Sequence, residues 1–288
     1  MVTFEDHIEA GRIAKKVREW GKSLFKEGEK LLDIAETVEN KIREEGAQPA
    51  FPTCLSLNGL AAHFTPRIND PLTLTKGDVV KFDMGVHVNG KVADTACTLE
   101  IGTNNHTKLI EASKEALDNA IKIMKPGVVL RDIGKVISKT ITSKGYTPII
   151  NLSGHGVSDY IVHDDPSIPN YDNKDETTLT EGQSIACEPF ATTGQGMVKD
   201  GKPCGIYMII NKKNVRSEQA RQLIKYLETT FNTLPFTPRW VKTPGAMILI
   251  NQLEREGILK QYTQLPERSN GMVSQAEHTI IIGHGQIT

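Results

Sequence analysis

The 288-residue chain carries 34 Lys and Arg against 35 Asp and Glu, a formal net charge of −1, so no global field draws it to nucleic acid or anionic lipid. That length buries a large core, as one large or two small domains. No run approaches the ~18 apolar residues of a membrane span, and the opening Met1-Val-Thr-Phe-Glu-Asp-His7 lacks the basic and apolar regions of a signal peptide, so a cytoplasmic location is expected.

Apolar residues at Ile8, Ile13, Val17 and Leu24, with charges between them, predict a helix within residues 4–26. A second runs through Leu31, Leu32, Ile34, Ala35, Val38 and Ile42 and is closed by Gly46 and Pro49. Ala62-His63-Phe64-Thr65-Pro66 then reads as a loop. Residues 77–99 are the stretch the rest of the chain serves. Their Val-rich, alternating pattern breaks at Asn89-Gly90, the dipeptide suited to a two-residue hairpin turn. With that turn, Val88 faces Lys91, Val86 faces Ala93 and Gly85 faces Asp94, so Asp83 and Asp94 share one face as diagonal neighbours roughly 7–8 Å apart. Taken singly, one Asp would cap the turn and the other face water. As a half-buried pair they repel unless a shared proton or a cation lies between them, and the pair points to a cation.

Residues 105–144 repeat the opening: a helix through Leu109, Ala116, Ala120 and Ile123, a break at Pro126-Gly127, and a helix through Ile133, Val136, Ile137 and Ile141. Gly28-Glu-Lys-Leu-Leu-Asp-Ile34 aligns with Gly127-Val-Val-Leu-Arg-Asp-Ile133, and Gly46-Ala-Gln-Pro49 with Gly145-Tyr-Thr-Pro148, both at an offset of 99. Gly77 precedes Asp83 by six residues as Gly182 precedes Glu188. An internal duplication follows, two helix-pair-plus-strands units about a pseudo-twofold axis with acidic residues converging near it.

Gly154-His155-Gly156 lies in a Gly/Ser-rich loop or strand end, eight residues before His163, and Glu188 ends the duplicated strand. Residues 214–260 change character: a helix from Glu218 to Leu227, then Pro235, Pro238, Trp240 and Pro244, then a helix from Met247 to Leu253. Their seven Lys/Arg against four Glu fit either a face toward a negative partner or a solvated surface. Strand character returns over Met272–Ile282, which holds Glu277-His278. Each histidine alone reads as a hydrogen-bonded structural residue. Two Asp, one His and two Glu together form a mixed N/O set suited to divalent Mn, Co, Fe or Zn, and bridging carboxylates hold two cations ~3.5–4 Å apart. Cys54, Cys97, Cys187 and Cys204 lack Cys-x-x-Cys spacing and read as buried thiols, with neither disulfides nor a zinc knuckle.

Asp83, Asp94, His155, Glu188 and Glu277, in that order on a duplicated scaffold, resemble the five metal ligands of the methionine aminopeptidases of the pita-bread metallopeptidase superfamily. Phe51-Pro-Thr-Cys-Leu-Ser-Leu-Asn-Gly59 followed by Ala61-Ala-His-Phe-Thr-Pro66 is also similar to that family. The helical insert and Gln275-Ala-Glu-His-Thr279 resemble its type 2 branch in the compact archaeal form. The resemblance covers essentially the whole chain. It implies an α+β pita-bread (creatinase/aminopeptidase) fold of duplicated helix-pair-plus-antiparallel-sheet units with a small winged-helix-like insert. The catalytic domain would comprise 1–213 and 261–288, with the insert 214–260 packed on it.

The activity implied is removal of N-terminal methionine before a small second residue, with two divalent ions (Co, Mn, Fe, Ni or Zn) activating a water. Glu188 would double as general base, His63 contact the scissile amide and donate toward the departing nitrogen, and His163 steady the carbonyl oxygen. Phe51, Val162, Tyr262 and Leu265 would line the methionine pocket. Ile206 stands where eukaryotic relatives tend to carry His, making part of the pocket less polar. The expected partners are the N-termini of nascent peptides, with ribosome association left open, no membrane and no disulfide-linked partner, and the chain is expected to act as a monomer. Two alternatives stay in view: a prolidase or aminopeptidase P, which usually carries an extra N-terminal domain, and a binding module that has lost its metal ligands.

Overall fold

The computed structural model describes residues 4–211, 213 and 215–288. Met1 to Thr3 of the opening heptapeptide, and Asn214, the expected first residue of the insert, lie outside them. The two apolar periodicities become α1 (Glu5–Gly21) and α2 (Leu31–Glu44) in the first half, α3 (Thr107–Ile123) and α4 (Leu130–Ser143) in the second. Their lengths match, 17 then 14 residues in each half. The chain expected as helix to residue 26 leaves α1 at Gly21 and continues as one 3₁₀ turn, Lys22–Leu24.

The main sheet has nine strands. At its centre Lys91–Glu100 meets Glu277–Ile281 through two register pairs, Ala96 with Glu277 and Thr95 with His278. Outward on one side lie Val79–Val88 and then Cys54–Leu57; on the other, Ser184–Cys187 and then Ser153–Ser158. The order is symmetrical about the Ala96–Glu277 pair, and local contacts repeat across it. The Gly77 N–H donates to Ile101 O at 2.7 Å as the Gly182 N–H does to Ile282 O at 2.9 Å. Hydroxyls complete the seam where backbone pairing runs out. Thr279 Oγ1 accepts from the Asp94 N–H and donates to the Asp94 carbonyl, both at 2.8 Å, and Thr98 Oγ1 does the same for Gln275 at 2.8 and 2.7 Å.

Alternation then sorts the faces. Val80, Phe82, Met84, Val86 and Ala93 pack with α1 and α2, while Ile185, Cys187 and Ile280 pack with α3 and α4. The helices thus cover one face, and the carboxylates project from the other. The hairpin register is the expected one, Val88 with Lys91 and Gly85 with Asp94, because Asn89 (φ +50°) and Gly90 (φ +88°) adopt the left-handed conformations of a tight turn.

Met272–Ile282 is not one strand. Val273–Gln275 pairs with Phe190–Thr192 in a separate three-stranded sheet, and Glu277–Ile281 joins the main sheet. The change of sheet at Ala276 brings Glu277 to the seam. Beyond Phe190–Thr192, a ribbon of Pro203–Ile209 and Leu259–Thr263 carries α5 (Glu218–Phe231) and α6 (Ala246–Arg255). Leu223, Leu227, Phe236, Ile250 and Leu253 form an apolar cluster there that extends to Tyr207 and Leu259. Among the described residues no helix is long and apolar enough to cross a membrane. All four cysteines are free, three buried and Cys97 half-buried.

Candidate active site

One row of residues crosses the sheet. Cys54 pairs with Asp83, Asp83 with Ala96, and Ala96 with Glu277, so all four side chains share the face opposite the helices. Glu188 follows the Ser184–Cys187 strand and extends the row, because His278 pairs with Cys187. Asp94 stands two residues from Ala96 on the same face. His155 arrives from the Ser153–Ser158 strand, opposite Ala186. Ala96 thus stands between Asp83 and Glu277, two residues from Asp94.

The site is acidic and largely buried, with Asp83 and Glu188 half-buried. Asp94, His155 and Glu277 are 3%, 7% and 1% exposed. Burial, before any neighbouring charge, raises all four carboxyls: Asp83 to about 7, Asp94, Glu188 and Glu277 well above the usual range, with mutual repulsion adding to the last three. Among the described residues no lysine or arginine pairs with them; their only ion-pair contacts are from His155 Nε2, 3.6 Å to Glu188 Oε1 and 3.9 Å to Asp94 Oδ2. Asp83 Oδ1, Asp94 Oδ1 and Glu277 Oε1 are buried with no hydrogen-bond partner.

Orphaned carboxylate oxygens around an open centre are what a divalent cation satisfies. The imidazole fits too. His155 Nδ1 lies 3.0 Å from the Gly156 carbonyl, which can only accept, so Nδ1 carries the hydrogen and Nε2 presents its lone pair to the carboxylates. Burial pushes the His155 pKa down to about 4, keeping that lone pair free. Ligand atoms of Asp94, His155 and Glu277 lie within 4.8 Å of one another, a spacing that one ion can span. The donor set therefore fits a divalent metal.

A cavity of about 230 Å³ opens over this row, lined on one side by Phe51, Val162, Ile206, Tyr262 and Leu265 and on the other by His63, His163 and the carboxylates. All the residues expected from the sequence as metal ligands, catalytic groups or pocket walls line it, whereas His278 does not. His63 Nδ1 donates to the Thr263 carbonyl at 3.1 Å, so in the neutral ring Nε2 is an acceptor. Burial lowers the pKa of His63, and burial with His155 beside it takes His163 to about 3. The His155 and His163 rings stand edge to face, centroids 4.5 Å apart. The Phe51 ring lies over Gly85, where a Cβ would come within 2.3 Å of it.

Sequence reasoning missed Ala96 and the role of Gln275. Gln275 Nε2 donates to Glu188 Oε2 and Glu277 Oε2, both at 3.3 Å, and holds the two carboxylates in register. Its signal was the seam itself: Asp94 to Thr98 and Gln275 to Thr279 are equivalent stretches, so Gln275 is the pseudo-twofold mate of Asp94.

Among known proteins, residues 5–223 match metallopeptidase family M24. The methionine aminopeptidase of Archaeoglobus fulgidus is 46% identical over 284 residues, 99% of this chain and 97% of that protein. Two solved structures share the fold: a thermophilic Arx1, with a TM-score of 0.86 at 17% identity over 97% of this chain and 89% of that one, and the Thermotoga maritima methionine aminopeptidase, with 0.70 at 24% over 98% and 94%.

Proposed function

Because the chain belongs to metallopeptidase family M24, we propose that its cleft removes N-terminal methionine from peptide chains by metal-dependent hydrolysis, on the pita-bread fold. The observation that carries the reading is the row of carboxylates in which Asp83, Asp94 and Glu277 each keep a buried, unpartnered oxygen, beside a neutral His155 under an apolar cleft. Asp83, Asp94, His155, Glu188 and Glu277 would hold two divalent ions, which when bound supply a nucleophilic water at neutral pH and polarise the scissile carbonyl. Glu188 accepts the proton of the attacking water. The bare Nε2 of His63 accepts the scissile amide N–H and aligns it, and the proton that Glu188 has taken from the water is the one passed by way of Nε2 to the departing amine. The neutral ring of His163 offers its N–H to the carbonyl oxygen as negative charge develops on it.

Phe51, Val162, Ile206, Tyr262 and Leu265 give methionine an apolar seat suited to an unbranched thioether. The protein acts in the cytoplasm as a monomer on nascent N-termini, with 1–213 and 261–288 as catalytic body and 214–260 as insert. The test compares short peptides after metal stripping and reconstitution with Mn or Co. Met-Ala-Ser is cut, Met-Lys-Ser is cut far more slowly, and the stripped protein cuts neither. Equal kcat/KM for the two peptides, or cleavage of Xaa-Pro in preference to Met-Ala, overturns the reading.

A further inference from the structure

The insert meets the catalytic body at a buried ion pair. Glu39 of α2, 1% exposed, accepts from Arg239 Nη1 and Nη2, both at 2.8 Å, from Trp240 Nε1 at 2.7 Å and from the Thr53 N–H at 3.2 Å. Arg239 sits in the short turn Pro238–Trp240 between α5 and α6, and its fork has donors to spare. Nε donates to the Pro66 carbonyl at 2.9 Å, and Nη2 also reaches Thr65 Oγ1 at 3.1 Å, which itself donates to Thr53 O at 2.9 Å. One guanidinium of the insert thus ties together two segments that supply the cleft, the one from Phe51 to Cys54 and the one from His63 to Pro66.

His63 needs such support. Its φ is +65°, a conformation that a histidine keeps only where its surroundings impose it. The ribbon that carries the insert, itself largely part of the catalytic body, holds the ring through Thr263 O, and Arg239 of the insert holds the backbone that follows. Stability alone does not account for the charges, since well-packed apolar side chains often replace a buried ion pair without loss. Apolar side chains have no donors for the Thr65 and Pro66 oxygens.

We propose that Arg239, clamped by Glu39, is a positioning residue: it fixes the Thr65–Pro66 backbone so that His63 meets the scissile amide, which makes insert docking part of catalysis. The inference rests on the role given above to His63. The test uses the full chain loaded with Mn and the double variant Glu39→Met/Arg239→Met. The expected result is unchanged metal content and a melting temperature within a few degrees of wild type, with kcat on Met-Ala-Ser down roughly 10- to 10²-fold, the scale of an ångström-sized displacement, and KM little changed. ¹⁵N spectra of the His63 ring show the Nδ1–H tautomer in wild type and a mixture in the variant. In a His63→Ala background the double substitution costs no further kcat.

A folded double variant with wild-type kcat overturns the proposal, as does an equal loss in both backgrounds. His63→Ala with full kcat removes the role of His63 and the proposal with it. Where His63→Ala loses kcat but the clasp has no effect, only the clasp proposal fails. Should the double variant not fold, Thr65→Val removes one acceptor of Arg239 with little change of shape. Reduced kcat at unchanged metal content then supports the proposal, and unchanged kcat overturns it.

Discussion

At the scale of single residues, the acidic groups serve binding at the expense of the empty fold. Asp94 Oδ1 is buried and unpartnered, and the Asp94 carboxyl is raised by burial and then by Asp83, a rise that a backbone hydrogen bond from Thr95 offsets only in part. Asp94→Asn keeps the shape and removes the charge. Metal content measured by elemental analysis should fall by at least one equivalent and kcat by ~10² or more, while the metal-free protein still folds. Wild-type stoichiometry in the variant would show that Asp94 is no ligand. These acids were legible in the sequence because an aspartate inside an alternating Val-rich strand, matched by a second across a two-residue turn, violates the usual exposure of Asp. Ala96 was not legible, since an alanine in a strand advertises nothing, and Gln275 entered only as part of a family motif, because the role of an amide between two carboxylates is visible only once both are placed.

At the scale of elements, the site is a property of register. Asn89-Gly90 sets the hairpin, the hairpin sets Asp83 opposite Ala96, and the seam sets Ala96 opposite Glu277. Ala96→Leu leaves the proposed ligands unchanged but adds bulk between Asp83 and Glu277. We expect metal affinity, measured by titration of the stripped protein, to fall ~10-fold or more, the cost of crowding a site whose ligands cannot move apart. Affinity within a factor of ~2 of wild type would show that the row does not frame the ions. The hairpin could be derived because local turn chemistry fixes its pairing. The seam could not. It joins strands from opposite ends of the chain, and the only shared marks are Thr98 and Thr279, whose hydroxyls bridge the neighbouring backbone. The split of Met272–Ile282 between two sheets was hidden for a similar reason: only Ala276 separates the pieces, with no turn signal between them, and their partners lie far away in sequence.

At the scale of the molecule, two halves of matching helix pairs and strands meet at a centre of raised carboxyls that is unfavourable until a cation fills it, and the pH dependence of stability carries the sign. Asp83, Asp94, Glu188 and Glu277 all have folded pKa values above their unfolded ones, so the metal-free fold binds protons that the unfolded chain has released. Their contribution is complete below the unfolded value near ~4 and is lost as pH rises through the folded values, about 7 for Asp83. Other groups act in the opposite direction. His155 and His163 are pushed down to about 4 and about 3, and buried Lys81 is pushed well below its usual value, so each gains stability as pH rises. A single melting curve against pH would mix these effects. The difference between wild type and Asp94→Asn, both stripped of metal, cancels the histidines and the lysine. We expect the Asp94→Asn variant to melt higher than wild type by a margin that widens as pH rises above ~4 toward the raised folded value of Asp94, on the order of 1 kcal/mol per pH unit where one proton separates the states. Saturating Mn should reverse the order, because only the wild type holds the full set of deprotonated ligands. A margin that stays flat or narrows with pH in the stripped proteins would mean that the carboxylates are not held against their charge, and that the fold does not depend on a cation in the way the site implies.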